Sequence, residues 1–126
     1  MSGGFMLDAG ALIAIDRGDR RMLVLLEEAR RARLPLSVTA SVVSQAWRDG
    51  RTQARLALFL KQSAVEVAPF SATDARAVGE LATLCGHTDV VDVHVVLLAL
   101  QRAQTVVTSD PLDIQRVSPR IPIVAI

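Results

Sequence analysis

The sequence has 126 residues, 51% of them hydrophobic and 21% charged, and a formal net charge of +1. That is one domain's worth of chain, residues 1–126, and too apolar to be disordered; its longest apolar run, Val93 to Leu100, is far short of the ~20 residues a bilayer requires. The lone cysteine, Cys85, excludes a disulfide framework and a cysteine-only zinc site.

Met1 to Ile15 lacks a basic n-region and carries Asp8 among its apolar residues, so no secretory signal and a cytoplasmic location away from any membrane are expected. Residues 1–62 hold 10 Lys+Arg against 6 Asp+Glu, and residues 63–126 hold 4 against 7. Basic and acidic surfaces are therefore expected to segregate.

In chain order, Phe5-Met-Leu is a short apolar run ending at Asp8, followed by a helix-like Ala9 to Asp16 that Gly18 stops. Asp19 caps a second helix with Met22, Leu25, Leu26 and Ala29 on one stripe, and Pro35 ends it. Leu36 to Thr39 reads as a strand, Ser41 caps a helix through Trp47 that stops at Gly50, and Thr52 to Gln62 forms another. Val65 to Val67 alternates as a strand. Ser71 opens a helix from Ala72 to Leu84 that Gly86 closes, and Thr88 or Asp89 opens an apolar helix through Ala103. Thr105 to Thr108 is a strand, Asp110 caps a short helix with Pro111 at its first position, and Pro122 to Ala125 is the last strand. Five short strands separated by helices, with no hairpin signal, predict a three-layer α/β/α sandwich around a mostly parallel five-stranded sheet. Ligands of such folds gather at the carboxyl ends of the strands.

Asp8 directly follows the first strand and Asp110 the fourth, so parallel strands set both on one edge. Asp92 lies in Val90-Val-Asp-Val-His-Val-Val-Leu-Leu-Ala-Leu, apolar on nearly every face, where a buried ionised carboxylate costs several kcal/mol unless something pairs with it. Its helical neighbours include no cation, and Asp89, three residues earlier, adds repulsion. Asp113 falls on the same side of the short helix as Asp110. Carboxylates without His or Cys partners select hard Mg2+ or Mn2+ rather than zinc. Two such ions can clamp the attacking and leaving oxygens of an in-line phosphoryl displacement. Plainer readings stand beside this one: Asp8 and Asp110 as N-caps, Asp113 as a solvated helix residue. Cys85, His87 and His94 lack a fourth partner and metal-ligand spacing and are read as structural or solvated, and Met6, Met22 and Trp47 as core.

Three segments, Phe5-Met-Leu-Asp8-Ala-Gly-Ala-Leu-Ile, Val90-Val-Asp92-Val-His-Val-Val-Leu-Leu-Ala and Val106-Val-Thr-Ser-Asp110-Pro-Leu-Asp113-Ile, occur in a telling order and spacing. Through them the chain resembles a PIN domain over essentially its whole length, specifically the small toxin ribonucleases of VapBC-type toxin–antitoxin pairs. The resemblance implies a metal-dependent endoribonuclease acting on RNA, a tightly bound VapB-like antitoxin that holds it inactive, and a homodimer. The expected catalytic acids are Asp8, Asp92, Asp110 and Asp113. The first three would ligate Mg2+ or Mn2+ directly and the fourth through water, with Gln45, Thr108 and Asp89 orienting ligands from behind. One departure stands out. The family usually places a Glu on the helix after the second strand, where this chain has Gln45, which offers a carbonyl oxygen but no charge. Asp49, one turn further, reads as a solvated helix end.

Arg48, Arg51 and Arg55 adjoin Trp47 and suit backbone phosphates and an unpaired base, or simply a solvated face. Two competing functions remain open: a non-catalytic PIN-like binding module, for which Gln45 speaks, and a phosphoacceptor domain using Asp8. Against the latter stand Gly10, where a second Asp would be needed, and the only lysine, Lys61, which follows a helix. Leu23, Val24, Leu56, Phe59 and Leu60 exceed what one buried stripe needs, which suits an antitoxin groove, a dimer contact or a thick core.

Overall fold

The apolar run Phe5–Leu7 becomes β1, with Met6 and Leu7 fully buried, and the remaining strands assemble on either side of it. The computed structural model describes residues 3–126. Met1 and Ser2 lie outside the described residues, so the readings of the first fifteen residues and of a 1–126 unit extend beyond them. After β1 come α1 (Ala9–Asp16), α2 (Arg20–Arg31), β2 (Leu36–Thr39), α3 (Ala40–Ala46), α4 (Ala54–Leu60) and β3 (Val65–Ala68). The second half holds α5 (Ala72–Cys85), α6 (Val90–Arg102), β4 (Thr105–Thr108), α7 (Pro111–Val117) and β5 (Ile123–Ala125).

The sheet order is β3-β2-β1-β4-β5 and every pairing is parallel, so the sheet is wholly rather than mostly parallel. The chain steps outward from β1 to β3, then returns across β1 to β4 and β5. Right-handed crossovers put the helices of these two directions on opposite faces. Accordingly α1 packs on α2, α3 and α4, while α6 packs on α5 and α7, completing the three layers. The reversal makes the gap between β1 and β4 the switch point, where flanking turns diverge and leave a crevice at the carboxyl edge.

A parallel sheet covered on both faces needs near-continuous apolar strands. Val38, Val106 and Val107 are fully buried, as are Met22 of α2 and Val93, Val95 and Val96 of α6. Burying each such side chain contributes ~1.5–3 kcal/mol. Near the amino ends of the strands one polar network is threaded through this core. The Ser37 hydroxyl accepts from Arg102 Nη1 and Gln104 Nε2, both at 3.0 Å, while Arg102 holds Glu66 through two bonds of 2.9 and 3.0 Å. It ties the end of α6 to β2 and β3.

Several local expectations are corrected. Thr39, not Ser41, caps α3, its Oγ1 accepting the Val42 N–H at 3.1 Å, because β2 runs into the helix with no loop between them. Helix α3 ends at Ala46, and Trp47, its C-cap, is half-buried and packs against the edge of the core. Helix α4 starts at Ala54 because Gln53 is occupied in the preceding turn. Its Oε1 accepts the Arg48 and Asp49 N–H groups at 2.6 and 3.0 Å, and its Nε2 donates to the Ala46 carbonyl at 2.9 Å. Pro122 precedes β5, contributing only its carbonyl, to Val106 N–H. Among the described residues no single helix is long and apolar enough to cross a membrane.

Candidate active site

Four separate elements deliver acids to the carboxyl edge. Asp8 leaves β1 in an extended conformation and caps α1, its Oδ1 accepting the Ala11 N–H at 3.0 Å, which fixes its rotamer at 7% exposure. Thr108, the fully buried last residue of β4, accepts the Asp110 N–H at 2.8 Å, and its hydroxyl lies close enough to Asp8 to oppose the effect of burial on that carboxyl. Asp110 stands at the N-cap position of α7, with Pro111 first in the helix as expected, but its carboxylate makes no capping bond and instead lines the crevice. Asp89 caps α6 through Val91 and Asp92 N–H groups at 3.0 and 3.3 Å.

Asp8, Asp89, Asp92, Asp110 and Asp113 line one notch of about 170 Å3 together with Gln45 of α3. No lysine or arginine lines it. Burial pushes the Asp8 carboxyl above the ordinary range and Asp110 adds to this, against hydrogen bonds from Thr108, Ala11 and Gly10. Burial likewise raises Asp92, with Asp89 and Asp113 adding repulsion and His87 opposing it. The notch is thus a concentration of carboxylates that no lysine or arginine offsets, which hard oxygen-seeking divalent cations fit. Among the described residues no three acidic, histidine or cysteine side chains are already gathered at coordinating separation. The carboxylates share walls rather than a finished shell.

His87, read from the sequence as structural or solvated, stands beside an acid of the notch. It is 8% exposed, with Nε2 3.2 Å from Asp92 Oδ2, so Asp92 does have a basic neighbour. It arrives from the turn at Gly86 (φ +69), five residues before Asp92, a spacing that no helical periodicity would reveal. His94 likewise has a partner, Asp74 Oδ2 at 3.0 Å, and stacks on Phe70; fully buried, it pins α5 to α6.

The three arginines do not gather at the notch. Arg48 turns back on the Ser44 and Trp47 carbonyls at 3.2 and 2.7 Å, Arg51 pairs with Asp49 at 3.2 Å, and Arg55 reaches the Asp16 carbonyl at 3.4 Å beside Gly18. Asp49, paired in this way, takes no part in the notch either. Gly10 matters for space as well as for charge: a Cβ there would lie 2.0 Å from Ser109 Oγ and 3.4 Å from Asp8 Oδ1. Its bare backbone lets the turn after β4 close down on α1.

A five-stranded parallel sheet with acids after β1 and β4 and on α6 defines a known class. The PIN domain family model matches residues 5–118, and the chain belongs to the PIN domain family. Among solved structures, the fold is similar to VapBC2 from Rickettsia felis bound to a DNA fragment from their promoter, with a TM-score of 0.72, 21% identity and 98% of each chain covered. It is also similar to FitAB bound to an IR36 DNA fragment, with a TM-score of 0.65, 15% identity and coverage of 96% and 94%. FitAcB from Neisseria gonorrhoeae gives 0.64, 18% identity and coverage of 94% and 95%. At these identities the likeness is one of fold. No curated protein matches the sequence.

Proposed function

We propose that this PIN domain is a Mg2+- or Mn2+-dependent endoribonuclease, the toxin of a type II toxin–antitoxin pair. The observation that carries the reading is the convergence of five carboxylates, without a lysine or arginine, on one notch at the switch point of the sheet. Asp8, Asp92 and Asp110 would hold the ion, Asp113 would act through water, and Gln45, Thr108 and Asp89 would orient these groups. A bound divalent ion supplies charge neutralisation, polarisation of the scissile phosphodiester and a water of lowered pKa. The protein's own contribution is to hold the acids still: the Ala11 N–H fixes Asp8, while His87 engages Oδ2 of Asp92. Similarity to the VapBC2 and FitAB complexes supports a VapB-like antitoxin as the cognate inhibitor; a homodimeric assembly and a cytoplasmic setting belong to the same proposal. Leu23 and Val24 on α2, 47% and 52% exposed, and Leu58 on α4, 67% exposed, offer that antitoxin an apolar face, whereas Leu56 and Phe59 belong to the core.

The test is cleavage of a panel of structured RNAs in Mg2+, Mn2+ or EDTA. Cleavage with either ion and none in EDTA is expected; equal cleavage in EDTA would remove the reading. Gln45 favours a second one, a binding module whose notch lacks one charge. Because affinity follows ligand charge, Gln45→Glu is expected to tighten Mn2+ binding about tenfold by titration calorimetry. RNA cleavage by Gln45→Glu but not by the natural chain would establish the binding module. His87→Ala is expected to weaken Mn2+ binding about tenfold and His87→Gln much less, since the amide can still donate to Asp92. Equal losses would mean that His87 only fills space.

A further inference from the structure

Beside the acidic notch lies a second cavity of about 520 Å3, bordered by Ile13, Ala14, Arg17, Arg21 and Ser109. Gly10 lines both. Lacking a Cβ, it leaves only a low backbone ridge between them, since a methyl group there would collide with Ser109 Oγ. The two sides of this ridge have opposite electrostatic character. Carboxylates alone supply charge to the notch, whereas the cavity has the cations Arg17 and Arg21. Its one acidic side chain, Asp19, is engaged with the Met22 N–H at 3.2 Å and stands 3.9 Å from Arg21 Nε. Ile13, 37% exposed, and Ile126 give it an apolar wall.

RNA bound across the notch needs cations for its neighbouring phosphates, and Arg48, Arg51 and Arg55 are engaged elsewhere, by the Trp47 carbonyl, Asp49 and the Asp16 carbonyl. An unpaired base needs an apolar or flat surface. Cavities of roughly 300–1,000 Å3 suit small organic groups such as a nucleotide. The geometry points to this cavity as the seat of the nucleotide flanking the scissile phosphate of a single-stranded RNA. Arg17 and Arg21 meet its backbone phosphates, and Ile13 and Ile126 lie against its base. The assignment rests on the nuclease reading above and adds to it where the substrate strand runs.

The test is fluorescence anisotropy of a labelled phosphorothioate single-stranded RNA with the Asp8→Asn protein in Mg2+, so that binding is read without turnover, over a series of salt concentrations. Adding Arg17→Gln and Arg21→Gln together is expected to weaken binding about tenfold and to flatten the log–log salt slope by about 1.4, the loss of two single-strand phosphate contacts. Arg33→Gln, at the opposite end of the sheet, is expected to change neither. Unchanged affinity and slope in the double variant, or an equal effect of Arg33→Gln, would overturn the assignment and leave the cavity to a protein partner. Cleavage of ordinary RNA by the unaltered protein is scored separately. If that cleavage fails while the arginine effect persists, the catalytic reading falls and the RNA seat stands; the converse result removes only the seat.

Discussion

Asp8→Asn is expected to lower metal-dependent RNA cleavage by roughly 10^3-fold, about 4 kcal/mol of lost transition-state stabilisation, while leaving the fold in place. The asparagine oxygen can still cap α1 at Ala11, so the strand-to-helix turn keeps its bond. What disappears is a charge held in an unfavourable place. Burial lifts the Asp8 carboxyl above its ordinary 3.8, so the fold prefers the protonated form more than the unfolded chain does. The stabilisation belonging to that preference is complete below about pH 3.8 and is lost as pH rises through the higher folded value. Asp92 is shifted in the same direction, with the same sign.

In EDTA at neutral pH, Asp8→Asn is therefore expected to melt higher than the natural chain, by about 1 kcal/mol or roughly 4 °C. The gap should close as the pH is lowered toward about 4 and when Mg2+ binds the intact acids. Thermal melts across that pH range, with and without Mg2+, check both statements. A variant that retains full cleavage would refute the role of Asp8, and one that melts lower at neutral pH would refute the cost of its charge.

Gly4→Ala is expected to cost about 3 kcal/mol of stability and roughly 10 °C of Tm. Gly4 has φ +77, and a Cβ there would lie 2.0 Å from the Pro35 carbonyl oxygen, a backbone atom with little freedom to retreat. The same short stretch is pinned from both sides. The Gly4 carbonyl accepts the Thr105 N–H at 3.0 Å, and the next N–H, of Phe5, donates to Pro35 at 3.0 Å. A shift of β1 would therefore disturb its registers with β2 and β4 together and carry Asp8 with it. Gly79→Ala serves as the control: it lies within α5, nothing stands within 4 Å of its added methyl, and a gain of about 0.5–1 kcal/mol is expected. Urea unfolding of the two variants separates these outcomes. A Gly4→Ala protein as stable as the natural one would show that β1 is not clamped there.

Most of the fold was legible because its signals are local. Apolar runs ended by Asp8, Asp110 and prolines mark the strands, and Asp19, Ser71, Asp89 and Gly86 punctuate the helices as expected. The α3 cap was misplaced because Thr39 serves as the last residue of a strand and the first cap of a helix at once. The α4 boundary was misplaced because the side chain of Gln53 is spent on backbone groups up to seven residues earlier.

That acids stand at the ends of two strands and on a largely apolar helix follows from the order of residues alone, since strand polarity and helical spacing are properties of consecutive residues. Which of them meet is settled by the assembled sheet, because the reversal of strand order between β1 and β4 is a fact about all five strands together. The tertiary structure also decided the fate of the cations. Arg48, Arg51 and Arg55 are neighbours in the chain but are drawn to three different acceptors, the Trp47 carbonyl, Asp49 and the distant Asp16 carbonyl. His87 is brought to Asp92 by a left-handed turn, while Arg17 and Arg21 share a cavity with Ser109, about ninety positions away in the chain. Side-chain partners of this kind are chosen by proximity in space, and a hydrogen bond or ion pair leaves no periodic trace in the order of residues.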